Sequence, residues 1–368
     1  SHQNFTIYNI FASSPKSYRD LPVRYMESGV VYRDEQTGEL HGLSRVRSIT
    51  QDDGHVFCTL DQAVDEISII VDVIRQFYTS LGMWNDDTFW VSLSVRDPKT
   101  PEKYLGDDKN WDKAETVLAE VADKEKLPVK RMEGEAAFYG PKLDFMFKDA
   151  IGREWQLATA QLDMVMPNRF ELEFTNTEGK KETPVMIHRA IAGSLERFMS
   201  VIIEHFAAKF PFWLSPEQVH VLPIAESHQE YAANLHSQLL GAGIRSSLRI
   251  EDSLGKRVRN AKTSLVPYYI VIGDEEVANK SVTLESRDGN KQSISILEDF
   301  IKKYPNNIKV LNQLASLYLF DDNKDKALEY KFKVYKYYEF NRNIKKLRET
   351  KSWILSVDPK YFDEPVKP

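Results

Sequence analysis

The spacing of apolar residues changes character several times along this chain. Between Gln62 and Leu81, Ile67, Ile70, Val71, Val73, Ile74 and Phe77 recur at helical spacing, and Trp111–Ala122 repeats the pattern. Both stretches predict amphipathic helices, with strands around them that look antiparallel, which points to an α+β domain over roughly residues 1–213. Two prolines bracket a short aromatic stretch from Pro211 to Pro216 and predict a hinge. Beyond it the pattern alternates: a strand at Val219–Ile224, a helix at Gln229–Leu240 with Gly243 as its stop signal, an extended run at Ser246–Ile250, a helix at Val258–Leu265 and a strand at Tyr268–Ile272. This predicts a compact α/β module over residues 214–300. Residues 301–368 predict helices, and Ala315, Tyr318 and Ala327 fall at spacings seen in a tetratricopeptide-like hairpin.

One pattern breaks the rule that a strand's inward face is apolar. Strand-like runs at Gly29–Glu35 and Ser44–His55 flank a glycine-containing loop too long for a tight hairpin. Side chains alternate between the faces of a strand, so Arg33 and Glu35 share one face, and Arg45, Arg47, Gln51, Asp53 and His55 share a face on the partner run. A solvated outer face explains one such residue, but not seven in register. Three arginines on a common surface suit a polyanion, because the guanidinium fork donates paired hydrogen bonds and keeps its charge.

These residues carry a family resemblance. Tyr32-Arg33-Asp34-Glu35 followed by Arg45-Val46-Arg47 resembles motif 2 of the class II aminoacyl-tRNA synthetases. His188-Arg189-Ala190-Ile191-Ala192-Gly193-Ser194-Leu195-Glu196-Arg197-Phe198 resembles motif 3. Leu43–Arg47 with Thr50–His55, Glu133–Lys142 and Trp155–Asp163 resemble the threonyl-specific members, so the similarity runs from about Tyr18 to about Phe300. It implies a catalytic domain built on an antiparallel sheet, then an α/β anticodon-binding domain, then a helical tail outside the family pattern. It also implies threonine–tRNA ligation through threonyl-adenylate, with ATP and Mg²⁺ as companions and tRNA(Thr) as acceptor.

Within the resemblance, Arg33 would grip the α-phosphate and the substrate carboxylate. Glu35 would bind the adenine edge, Arg45 the γ-phosphate side, and Arg197 would lie over the adenine ring with Ser194 on the same pocket. Gln51, Asp53 and Tyr139 would hold threonine, with Lys142, Gln156, Thr159 and Gln161 lining the pocket. Gln156 is out of phase with Thr159 and Gln161 on a regular strand, so a bulge is implied if all three point inward. Ile49 stands where the family usually has an aromatic residue, which implies weaker adenine binding. The family's Zn²⁺ would use His55 and His188. The third ligand, a cysteine, falls at Asn4, a poor zinc donor, and two histidines alone leave an open, weak site unless His2 folds back.

Composition narrows the picture further. Hydrophobic residues make up 42 % and charged residues 28 %, ordinary for a globular protein. The single cysteine, Cys58, excludes an internal disulfide and fits a cytoplasmic, reducing compartment, and no apolar run is long enough to predict a membrane span. The net charge is −6, while the segment after Phe300 holds about fifteen basic and nine acidic residues.

In the α/β module, Glu251 and Glu285 stand where the family usually presents an asparagine and an arginine to the anticodon, and a carboxylate repels phosphate. Lys256, Arg257 and Arg259 remain as backbone contacts or as a solvated helix face. The family's dimer-forming motif 1 would lie before the first residue, so a homodimer is expected where that segment is supplied. Two alternatives stay open beside the ligase: a synthetase-like binding or regulatory paralogue, and an activating enzyme serving an acceptor other than tRNA.

Overall fold

The computed structural model describes residues 2–85, 87–241, 243–279, 282–287, 308–320 and 323–362. Two compact units divide at Phe206 and Ala207, ahead of the boundary expected at 213. In the first unit the strands are β1 (Val23–Tyr32), β2 (Ser48–Cys58), β3 (Phe89–Val95), β4 (Val129–Glu133), β5 (Lys142–Lys148), β6 (Glu154–Asp163), the short β7 (Phe174–Thr175) and β8 (Lys181–Glu182), and β9 (Val185–Ala190). Its helices are α1 (His2–Ala12), α2 (Ala63–Ser80), α3 (Asp108–Lys124), α4 (Met166–Arg169) and α5 (Leu195–His205). Seven strands form one sheet in the order β1-β2-β9-β6-β5-β3-β4, antiparallel except for β3 with β4.

The two expected strand runs need correction. β1 ends at Tyr32 and β2 begins at Ser48, so Arg33, Glu35, Arg45 and Arg47 lie in the loop between them rather than on strands. The ladder continues one step past the strands, where the Arg33 amide donates to the Arg47 carbonyl at 2.8 Å.

Register sorts the side chains of this sheet into two faces. Tyr25 pairs with His55, His55 with His188, His188 with Gln161, Gln161 with Lys142 and Lys142 with Ser94, one polar row across five contacts of the sheet. Two residues along, Thr159 sits between Ala190 and Asp144, and Asp144 faces Ser92. The neighbouring row on the other face holds Arg24, Val56 and Ile187. Arg24 bonds Glu66 of α2, which places α2 on that face, where Ile67, Val71, Ile74 and Tyr78 are buried. On the polar face, Tyr8 and Phe11 of α1 pack on Phe57. Cys58 is fully buried at the end of β2, and burial pushes its thiol up to about 12.

The second unit contains β10 (Val219–Pro223), α6 (Gln229–Gly241), β11 (Ser246–Leu248), α7 (Leu254–Thr263), β12 (Tyr268–Ile272), α8 (Asp274–Asn279), β13 (Thr283–Ser286), α9 (Ile308–Phe320), α10 (Lys324–Phe340) and α11 (Ile344–Val357). α7 begins four residues earlier than the expected Val258. The sheet order is β11-β10-β12-β13, parallel at β10 and antiparallel at β13. Phe212 from the expected hinge is buried in this unit's core. Ala315 and Tyr318 of α9 and Ala327, Tyr330 and Val334 of α10 join Val219, Val221 and Ile270 in the same core, so these helices are built into the module instead of trailing from it. Among the described residues, no helix is long and apolar enough to cross a membrane.

A buried carboxylate closes the β5–β6 turn. Asp149 accepts from the backbone of Ile151 and Arg153, from Arg153 Nε at 2.6 Å and from Trp155 Nε1 at 2.9 Å. Burial disfavours its charge, but the bonds from Trp155, Arg153 and Ile151 prevail and hold its pKa down at about 2. A depressed folded-state pKa contributes stability that is present above the unfolded value and lost as pH falls through the folded one. Asp149→Asn is therefore expected to cost about 2 kcal/mol at pH 7, a gap that closes as pH falls from 4 toward 2 in denaturant melts.

Candidate active site

The polar sheet face forms the floor of an open cavity of about 700 Å³. Arg33, Glu35, Arg45, Ile49, Gln51, Asp53, Tyr139, Lys142, Gln156, Thr159, Gln161, His188, Ser194 and Arg197 all line it. Arg47 does not; its guanidinium donates to the Glu35 carbonyl at 3.0 Å and braces the loop. His55 lies beside His188 on the neighbouring strand β2, the two rings 5.0 Å apart.

The bulge implied if the three pocket positions of the resemblance all point inward is present. Phe145 pairs with Ala158 and Met146 with Gln156, so Leu157 is an extra residue in β6. That insertion restores Gln156 to the face of Thr159 and Gln161. All three then meet cavity residues, and two of them converge on Asp144. Its Oδ1 accepts from Gln156 Nε2 at 2.6 Å and Thr159 Oγ1 at 2.8 Å, while Oδ2 accepts from Ser94 Oγ at 3.0 Å and from Lys142 Nζ. The bulged strand also needs room behind it. A Cβ on Gly193 would sit 2.7 Å from the Leu157 carbonyl oxygen, and Gly193 has φ +63°, so glycine is required on both counts.

Motif 3 is fastened to β2 by carboxylates. Asp52 accepts from the amides of Ile191 and Ala192 and from Arg189 Nη1 at 2.8 Å. Glu196 accepts from the Thr50 amide at 2.9 Å. Ser194 is the N-cap of α5, accepting from the Arg197 amide, rather than a residue within the helix. Arg197 Nε donates to the Ser44 carbonyl at 3.0 Å, which turns the guanidinium toward the β1–β2 loop.

Charge in the cavity is uneven. Glu35 is paired with Arg45 at 2.8 Å, a contact that draws its pKa down. Burial, then the fields of Arg33 and Arg45, weaken Arg197's hold on its proton, with Glu35 opposing. Three guanidiniums therefore share one mouth with two carboxylates, Glu35 and Glu39, both paired to Arg45. Deeper in, burial raises Asp53 to about 6, against the pull of His188 and Arg189. Tyr139 is pushed up to about 12 by burial and by Asp163 and Asp53.

A zinc centre would draw first on His55 and His188. Burial, with His188 and Arg189 adding to it, pushes His55 down to about 3, so its imidazole is neutral, and neither ring nitrogen has a hydrogen-bond partner. That orphaned pair favours a bound group. Against it, His188 Nε2 is bonded to Asp163 Oδ2 at 2.9 Å, and no cluster of three metal donors exists among the described residues. The side chains of Asn4 and His2 lie outside the described residues. The described donors do not fit a zinc centre.

Sequence reasoning missed Tyr8, whose buried, unpartnered hydroxyl belongs to a residue lining the cavity, and the carboxylates of Asp52, Asp144, Asp163 and Glu196. The even-numbered position of Asp52, off the polar face, was the one available signal. In the second unit, Arg257 is buried and donates to the Pro223 and Arg249 carbonyls, so it braces the module instead of offering a free RNA contact. Glu285 accepts from Tyr269 Oη at 2.7 Å.

An antiparallel sheet with an arginine-lined cavity, followed by a small α/β module, is the architecture of a synthetase. The chain belongs to the class II tRNA synthetase core-domain family (G, H, P, S and T), which matches residues 2–206, and the anticodon-binding domain family matches residues 218–307. Its similarity is to the threonyl members. It is 46 % identical over 307 residues to the threonine–tRNA ligase of Cytophaga hutchinsonii, covering 83 % of this chain and 47 % of that protein. It is 46 % identical over 294 residues to that of Bacteroides thetaiotaomicron, covering 80 % and 45 %. A crystal structure described as the RNA binding domain of threonyl-tRNA synthetase from Cryptosporidium parvum superposes with a TM-score of 0.72 at 39 % identity, over 77 % of this chain and 70 % of that one. The chain spans about half the length of the curated relatives it matches.

Adding a methyl at Gly193 tests the bulge. Gly193→Ala is expected to lose about 1–3 kcal/mol in urea unfolding, from strain at positive φ and a clash with the bulged carbonyl. Unchanged stability would remove the close approach as a constraint.

Proposed function

We propose that this chain activates threonine with ATP to threonyl-adenylate and passes the threonyl group to tRNA. The observation that carries this reading is the convergence of Arg33, Arg45 and Arg197 on one cavity with Gln51 and Asp53 beneath them. In the reaction a threonine carboxylate oxygen bonds to the α-phosphorus, and the bond to the bridging oxygen of pyrophosphate breaks. Negative charge on phosphorus is stabilised by fixed cations, with positioning supplying much of the remaining rate. Arg33 holds the α-phosphate and the carboxylate, Arg45 the γ-phosphate end, and Arg197 lies against the adenine and its phosphate. Glu35 accepts from the adenine amino group once ATP draws Arg45 away from it.

Asp53 and Gln51 receive the ammonium and hydroxyl of threonine, with Tyr139 closing the pocket. A site that needs a hydroxyl rejects the isosteric valine strongly, which a purely apolar pocket does not. When bound with ATP, Mg²⁺ would supply charge neutralisation on the leaving pyrophosphate, beside the cation of Arg45. Lys142, Gln156 and Thr159 are held by Asp144 and form the wall against which the adenylate is placed.

A second reading has its own observation: Glu251, Asp252 and Glu285 put carboxylates on the α/β module, Glu251 and Asp252 lining a cavity of about 390 Å³ there. Adenylation without tRNA affinity would favour an acceptor other than tRNA.

ATP–pyrophosphate exchange is the direct test. Exchange with threonine and not with valine or serine is expected, falling at least 100-fold in Arg33→Ala and in Arg197→Ala. A folded protein with no exchange for any amino acid would sink the enzyme reading. Ile49→Phe is expected to lower the KM for ATP several-fold by restoring a stacking face for adenine. An unchanged or higher KM would show that adenine does not lie against residue 49.

A further inference from the structure

Helices α10 and α11 lie beyond the matched anticodon-binding region, which ends at residue 307. Across Lys324–Val357 there are ten basic and four acidic residues, a surplus of six on a chain whose total is −6. Three of the four acids are already neutralised within the helices, as Lys333–Glu329, Lys336–Glu339 and Lys346–Glu349. Among the described residues, Arg342, Lys345 and Arg348 have no acidic partner, and all three are exposed.

They gather at the apex where the two helices meet. The same turn exposes large apolar side chains, with Phe340 at 87 %, Ile344 at 55 % and Tyr337 at 39 %. The turn is held in shape. Asn343 caps α11 through the Lys346 amide at 3.1 Å, the Asn341 side chain donates to the Tyr337 carbonyl at 2.8 Å, and the Arg342 amide donates to Glu339. Arg342 itself sits at φ 52°, a conformation that favours glycine.

Unneutralised cations beside exposed aromatics on a rigid turn match the demands of a nucleic-acid strand: cations track phosphates and aromatic faces stack on bases. We infer that the α10–α11 apex is an RNA-binding element, in which Arg342, Lys345 and Arg348 contact backbone phosphates and Phe340 stacks on an unpaired base. The inference rests on the reading that the chain acts on tRNA. The element contacts the RNA backbone without reading sequence, and it supplies attraction that the carboxylates of the anticodon module withhold. An acidic lipid surface would meet the same charges, and the test separates the two.

Fluorescence anisotropy of the full chain would be measured with a labelled tRNA transcript and with an unrelated RNA hairpin, from low to moderate salt. In the triple variant Arg342→Gln, Lys345→Gln, Arg348→Gln, the Kd for both RNAs is expected to rise about tenfold. The slope of log K against log salt is expected to fall by about two. Phe340→Ala, which keeps all charges, is expected to weaken binding several-fold with the salt slope unchanged. Melting temperature verifies that each variant is folded. Threonine-dependent exchange, which needs no RNA, should keep its parent rate in both variants. Loss of RNA affinity together with absent exchange would leave this inference standing while the proposed function fell. Unchanged affinity in both variants would overturn it. So would a parent chain that sediments with phosphatidylserine vesicles but binds neither RNA.

Discussion

A buried carboxylate needs hydrogen-bond donors around it, and Asp144 shows how far that requirement propagates. Four donors meet its two oxygens, and Lys142, Gln156 and Thr159 among them belong to the cavity wall. Their positions are therefore not independent. Gln156 reaches Asp144 only because Leu157 is extruded from the β6 ladder, and Leu157 is accommodated only because Gly193 has no side chain. Gly193 in turn stands in the turn that Asp52 ties to β2, immediately before the N-cap of α5. One desolvation constraint thus links the floor of the cavity to the helix that presents Arg197.

The outer half of the site obeys a different physics. Arg33, Arg45 and Arg197 crowd one another, and the two carboxylates beside them, Glu35 and Glu39, both pair with Arg45. Neighbouring like charges are tolerated where solvent screens them, and they become favourable when a polyanion enters. The inner wall is fixed by internal pairing, whereas the mouth is left short of negative charge. This division suits a reaction in which an amino acid must be located accurately and a triphosphate must be attracted and steadied.

Much of this was legible from the chain itself. Alternation placed Gln51, Asp53 and His55 on one face of β2, and the pocket positions taken from the resemblance, set against strand phase, implied a bulge near Gln156. The ends of β1 and β2 were misplaced because the alternation of charges continues into the loop after the sheet pairing stops. Asp144, Asp52 and Glu196 stayed hidden for a related reason. Ser94 and Asp144 are 50 residues apart, and Thr50 and Glu196 are 146 apart. Such contacts exist only once β2, β9, β6, β5 and β3 lie side by side in a definite register. The resemblance to a family located the residues that would touch substrate, and the sheet order was needed to find those that hold them.

The appended helices make the same point about charge. A total of −6 describes no surface of this molecule, because the acidic body and the basic α10–α11 pair carry opposite signs. At physiological ionic strength the Debye length is about 8 Å, so a strand of RNA responds to the patch it touches and not to the sum. Glu251 and Glu285 on the α/β module and Arg342 at the helical apex can therefore act on the same RNA with opposite effects. On the proposed RNA binding, affinity concentrated at an apex that reads no bases would leave discrimination between RNAs to the module, where carboxylates would penalise a phosphate brought too close.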